Sequence, residues 1–107
     1  LADTSEATSN VAAGVLTVSG YFNSPNPFSG QTAFTVNGTG VQSTSVRVYD
    51  LSGQLVFERQ ASGNKVTWNG SNSSGDQLAN GVYLYIVTAT GKDRSESSSV
   101  RKLVVLR

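Results

Sequence analysis

From position 15 onward the chain alternates apolar and polar residues with a two-residue period, broken by turn signals about every 8–14 residues, and no window carries a 3.6-residue period. A two-residue period sends successive side chains to opposite faces, so each run must lay one face on a second layer. In "TSVRVYD" at 44–50, Val46 and Val48 share one face and Ser45 and Arg47 the other. "LSG" turns the chain, and "QLVFERQ" at 54–60 returns as its hairpin partner. "VLTVS" at 15–19, "QTAFTVNG" at 31–38, "NKVTWNG" at 64–70 and "SVRKLVVLR" at 99–107 read as further strands. "VYLYIVTA" at 82–89 is the longest apolar run, the mark of a central strand. The expected fold is all-β, an antiparallel β-sandwich of about seven strands.

Residues 1–13, "LADTSEATSNVAA", are small and polar with no period, and read as a flexible linker or lead-in to a single domain at 14–107. A length of 107 residues suits one domain with a core of its own. The chain opens on Leu1 and contains no Met, so it is expected to be a processed protein or a piece of a longer one.

Several function classes drop out on composition. The net charge is +1 and the eight basic residues are scattered, apart from Arg101, Lys102 and Arg107 near the end. A nucleic-acid surface needs clustered cations to displace counterions, so no nucleic-acid partner is expected. No apolar run reaches the length of a membrane span, so no membrane insertion is expected. The chain has no Cys and no His, which removes thiolate sites and the commonest metal ligand and general base. Its seven acids sit mostly at turns, where Asp bonds the backbone. The loop "NGSNSSGD" brings Asn69 and Asn72 but a single carboxylate, Asp76, where calcium loops bring several. The expectation is therefore no enzyme and no cofactor.

Aromatic stacking on a glycan is the one ligand chemistry the residues leave open, with Trp68, Tyr21 and Tyr49 as candidates. Trp68 shares its strand face with Val66, which favours a place in the core. Tyr83 and Tyr85 alternate on the most apolar strand and favour the core as well.

Both prolines lie in "FNSPNPFSG". Pro25 and Pro27 lack an N–H and hold Ser24 and Asn26 toward extended geometry, so the stretch cannot ladder as a central strand. It reads as a rigid turn, with Phe28 plugging the end of the sandwich.

"SPNPFSGQTAFTV", "VRVYDLSGQLV", "VTWNG", "GDQLANGVYLYIV" and the terminal "RKLVVLR", in that order, resemble the C-terminal type IX secretion sorting domain of bacterial exported proteins. That family is related to the Ig-like domain of the flagellar hook-capping protein. The resemblance spans about residues 23–107; Ser24 stands where the family often has Tyr, and Asn69 where it has Asp.

The resemblance implies an Ig-like sandwich that acts without catalysis as a sorting or attachment domain, recognised by an outer-membrane secretion machinery. It implies a secreted or cell-surface location in a bacterium of Gram-negative type. The partners it implies are a secretion-machinery or cell-surface protein, and the upstream domain of the same precursor. The final strand is the expected recognition element: Leu103 and Val105 pack inward while Arg101, Lys102 and Arg107 stay in water. Charge on an edge strand also guards against aggregation, so those residues fit a plain structural role equally. A carbohydrate-binding or adhesive module and an Ig-like spacer are the alternatives.

Overall fold

The structure is a computed structural model and describes residues 15–107; the expected lead-in at 1–13 lies outside the described residues. Eight strands follow in order: β1 Thr17–Ser24, β2 Thr32–Thr39, β3 Ser43–Tyr49, β4 Leu55–Ser62, β5 Lys65–Trp68, β6 Gly81–Thr90, β7 Ser95–Ser97 and β8 Arg101–Val105. They form two antiparallel sheets, one ordered β1-β2-β5 and the other β4-β3-β6-β7, with β8 also paired to β6. This is the all-β sandwich that the two-residue period requires.

Alternation decides which side chains fill the space between the sheets. β2 turns Thr32, Phe34 and Val36 inward, β3 Thr44, Val46 and Val48, and β5 Val66 and Trp68. β6 contributes Tyr83, Tyr85, Val87 and Ala89. An aromatic chain runs through this core: Phe57 stacks on Trp68 at 5.3 Å between ring centroids, Phe28 meets Trp68 at 5.6 Å, and Phe34 meets Tyr85 at 5.0 Å. Tilted and offset pairs of this kind add to the burial of large apolar area.

Three elements differ from the reading of the sequence. β1 begins two residues later than expected and continues to Ser24, directly before the first proline. The extra strand, β7, lies within "GKDRSESS", which reads as a turn because it is short and polar. The apolar run at 82–89 is central in the larger sheet, but only its inward face is sealed; Val82 is exposed, and Leu84 and Ile86 are half-buried on the outer face.

β7 and β8 lie end to end along one side of β6. β8 pairs with residues 81–85 of β6 and β7 with residues 88–90. Between them the Ser98 amide donates to the Val87 carbonyl at 2.8 Å, and the Val87 amide donates to the Ser98 hydroxyl at 3.0 Å. Ser95–Val105 is thus one edge segment interrupted at Ser98–Val100.

Candidate functional site: the clamped final strand

An edge strand normally leaves its outer row of N–H and C=O groups unpaired. In β8 that row is closed by the proline stretch. Asn26 acts as a surrogate strand: its amide nitrogen donates to the Lys102 carbonyl at 3.1 Å, and its amide oxygen accepts from the Val104 N–H at 3.0 Å. One step further, the Phe28 N–H donates to the Val104 carbonyl at 3.1 Å, and the Leu106 N–H donates to the Phe28 carbonyl at 2.9 Å. The prolines on either side of Asn26 have no N–H to offer, and the Asn side chain supplies a donor and an acceptor to the strand edge in their place. Both X–Pro bonds here are cis.

The same segment is held from within the sandwich. The Thr32 hydroxyl, buried at the start of β2, donates to the Pro25 carbonyl at 2.8 Å and accepts from the Asn23 amide at 2.6 Å. Phe28 is 2% exposed and caps the core beside Trp68, as its position after the prolines suggests.

The expected recognition residues separate into three groups. Leu103 and Val105 are fully buried and hold β8 on the core. Arg101 and Lys102 are exposed at its start. The Arg101 guanidinium lies 5.9 Å from the Tyr21 ring centroid, over β1 of the opposite sheet. Arg107 is exposed but anchored: its guanidinium donates to the carbonyls of Leu78, Asn69 and Gly70, and its backbone exchanges hydrogen bonds with the Asn80 side chain. Gly70 makes this possible. Its φ of +84° lies in the left-handed region, and a Cβ there would collide with the Arg107 guanidinium.

What β8 shows to solvent is its outer face. Lys102 lies in register with Leu84 of β6, which faces Tyr49 of β3, which faces Leu55 of β4. Val104 pairs with Val82. Val82, Leu55 and Leu106 are 40%, 45% and 59% exposed, so an apolar patch with Lys102 on its rim occupies this end of the larger sheet. Large exposed apolar patches mark interaction surfaces.

The glycan candidates are not brought together. Trp68 is 2% exposed, its ring surrounded by Phe28, Phe34 and Phe57 and its indole N–H donated to the Ser71 carbonyl at 2.8 Å. Tyr21 is half-buried on the smaller sheet beneath Arg101; burial and the nearby Glu96 carboxylate both push its phenol pKa up. Tyr49 is half-buried on the far face of the larger sheet.

The 69–81 loop spends its polar groups on turns. The Asn72 side-chain oxygen accepts from the Ser74 and Asp76 amides, and that of Asn69 from the Ser71 amide and hydroxyl. Among the described residues no group of three or more His, Cys, Asp or Glu is placed to hold a metal.

Residues 17–102 match the CHU_C family, the type IX secretion signal domain, from the first residue of β1 into β8. The chain belongs to this family. As a type IX secretion signal domain it marks a secreted or cell-surface bacterial protein.

Solved structures agree on the fold of the signal domain. Dimeric latent PorU from Porphyromonas gingivalis is similar with a TM-score of 0.68 at 21% identity, over 80% of this chain and 9% of PorU. PorZ, an essential bacterial surface component of the type IX secretion system of the same organism, is similar with a TM-score of 0.54 at 26% identity, over 82% of this chain and 12% of PorZ. FlgD from Xanthomonas campestris, which acts in hook capping for flagellar assembly, is similar with a TM-score of 0.55 at 20% identity, over 92% of this chain and 73% of FlgD. The signal domain therefore corresponds to a small part of PorU and PorZ. No individual curated protein sequence matches it.

The sequence reading missed Asn26, Asn80 and Gly70 as working parts of the site. The signal for Asn26 was its position between two prolines, neither of which has an N–H to offer a neighbouring strand.

Proposed function

We propose that this signal domain works without catalysis as a C-terminal sorting and attachment element, read by an outer-membrane secretion protein of a Gram-negative-type bacterium. Residues 14–107 form the working unit, with 1–13 as a lead-in from the upstream domain of the precursor. Recognition rests on the exposed outer face of β8. Lys102 supplies charge there and Val104 and Leu106 supply apolar surface; Arg101 supplies a second charge at the start of the strand. Leu103 and Val105 hold the strand from beneath, and Arg107 fixes its end.

The observation that carries this reading is the continuity of that face with Val82, Leu84 and Leu55 in a domain whose sequence matches a secretion signal. An apolar area with a cation on its rim suits docking of a protein. Fusing residues 14–107 to a periplasmic reporter in a type IX-competent host tests it. The reporter is expected at the cell surface or in the medium; retention in the periplasm overturns the reading.

A further inference from the structure

Two sheets present four edges, and three of them are guarded. β5 is only four residues long, and its Thr67 carbonyl accepts from the Arg59 guanidinium at 3.2 Å. β4 carries Glu58 and Arg59, and its Val56 carbonyl accepts from the Ser73 N–H at 3.1 Å. The β7–β8 edge is closed by Asn26 and Phe28 along β8, and carries the Arg94–Glu96 ion pair at 3.1 Å along β7. These are the usual protections of an edge: shortness, charge and cover.

β1 is the least protected: its register with β2 shifts between Val18 and Gly20, and Arg94 donates to the Leu16 carbonyl just before it, but the strand is neither short nor charged. Its eight residues, TVSGYFNS, include no charge and no proline. Among the described residues its backbone pairs with β2 alone. A Cβ placed on Gly20, in the middle of the strand, would meet nothing within 4 Å. Phe22 stands 43% exposed on the outer face, in register with Thr35 of β2. Arg101 reaches across from β8 to lie over Tyr21 of this strand, and among the described residues it has no carboxylate partner.

We infer that β1 is a strand-addition site, which takes an extended segment of a partner protein bearing a carboxylate that meets Arg101. The backbone of β1 supplies the hydrogen bonds that hold an added strand, and the side chains beside it select which strand is held. Phe22 packs against a neighbour on the outer face, as aromatic residues do across strands. A guanidinium stacked on an aromatic ring keeps its N–H edge free for a planar carboxylate. The added strand would pair with the smaller sheet and shares only Arg101 with the residues proposed for secretion, so the peptide titration reads it whether or not the outer face of β8 is read in secretion.

The test uses the full chain and a synthetic peptide of alternating Thr and Val with one central Glu, blocked at both ends. Titrated into isotope-labelled protein, the peptide is expected to shift the amide resonances of Thr17–Ser24 and the Arg101 side chain. Gly20→Lys, which installs an edge guard in open space, weakens binding about tenfold, and so does replacing the peptide's Glu by Lys. Gln60→Lys on the edge of β4 leaves binding unchanged. Circular dichroism and thermal unfolding of Gly20→Lys verify that it folds. Absence of binding, shifts gathered on β4, or affinity indifferent to Gly20→Lys overturns the inference. Concentration-dependent self-association that Gly20→Lys abolishes also overturns it, because the occupant is then a second copy of the chain.

Discussion

The Asn26 side chain and the Val104 backbone are bonded across the outer edge of the final strand, at 3.0 Å between the Asn26 oxygen and the Val104 nitrogen. The second Asn26 bond, to the Lys102 carbonyl, needs a donor. Asn26→Asp keeps the acceptor and loses the donor, whereas Asn26→Ala loses both. We expect Asn26→Ala to cost about 1–2 kcal/mol in urea unfolding and Asn26→Asp less. Faster hydrogen exchange at the Val104 amide in Asn26→Ala, but not in a Gln31→Ala control, is the local readout.

Gly70 and Arg107 form a coupled pair. Gly70→Ala forces a side chain into the left-handed region and displaces the guanidinium, for about 1–3 kcal/mol. Arg107→Ala removes three carbonyl contacts. The double variant is expected to be more stable than the sum of the two losses predicts, since the collision is absent once Arg107 is gone. A double-mutant cycle by thermal unfolding measures this; strict additivity contradicts it.

Trp68 touches three phenylalanines and donates its N–H to a carbonyl. Trp68→Ala leaves a large void and orphans the Ser71 carbonyl, and we expect a loss of about 3–5 kcal/mol. Trp68→Phe restores most of the volume but not the hydrogen bond, and falls between. Equilibrium denaturation at neutral pH separates the three.

Asp50 closes the β3–β4 turn. Its side-chain oxygen accepts from the Ser52 hydroxyl at 2.6 Å and from the Ser52 and Gln54 amides at 2.9 and 3.0 Å. These bonds, the Ser52 hydroxyl first, lower its pKa below the ordinary aspartate value. A carboxylate whose pKa is depressed on folding stabilises the native state above its unfolded pKa, about 3.9, and that contribution fades as pH falls through the folded value. The stability gap between the native chain and Asp50→Ala should therefore be full at neutral pH and shrink below about pH 4. A gap that widens on acidification contradicts the assignment.

Lys102 is exposed, and among the described residues it bonds to its neighbours only through its backbone carbonyl and the β6 ladder. Lys102→Glu is expected to change the unfolding free energy by no more than the roughly 0.5 kcal/mol typical of surface changes while reducing reporter export. Normal export of the variant removes Lys102 from the recognition face.

Much of the sandwich was legible because alternation is enforced by burial. The inward sets Val46/Val48, Val66/Trp68 and Phe34/Val36 follow from period alone, and the hairpin joining β3 to β4 from the "LSG" turn between two such runs. β7 was not legible: three polar residues carry no hydrophobic pattern, and their pairing depends on an already formed β6. The final strand's inward residues could be read, but the fate of Arg107 could not, because its partners are backbone carbonyls of a distant loop. Carbonyls are present at every position, so residue types do not reveal which of them will converge on a guanidinium.

Asn26 and Val104 stand 78 positions apart. Nothing local can close that edge, and β8 has no β6 to lie on until the larger sheet exists. A chain interrupted anywhere before Val104, or misfolded between, lacks both the closed edge and the face beside it. A receptor that binds the outer face of β8 would thereby inspect the whole domain for completeness, admitting finished molecules and passing over fragments without any separate proofreading step.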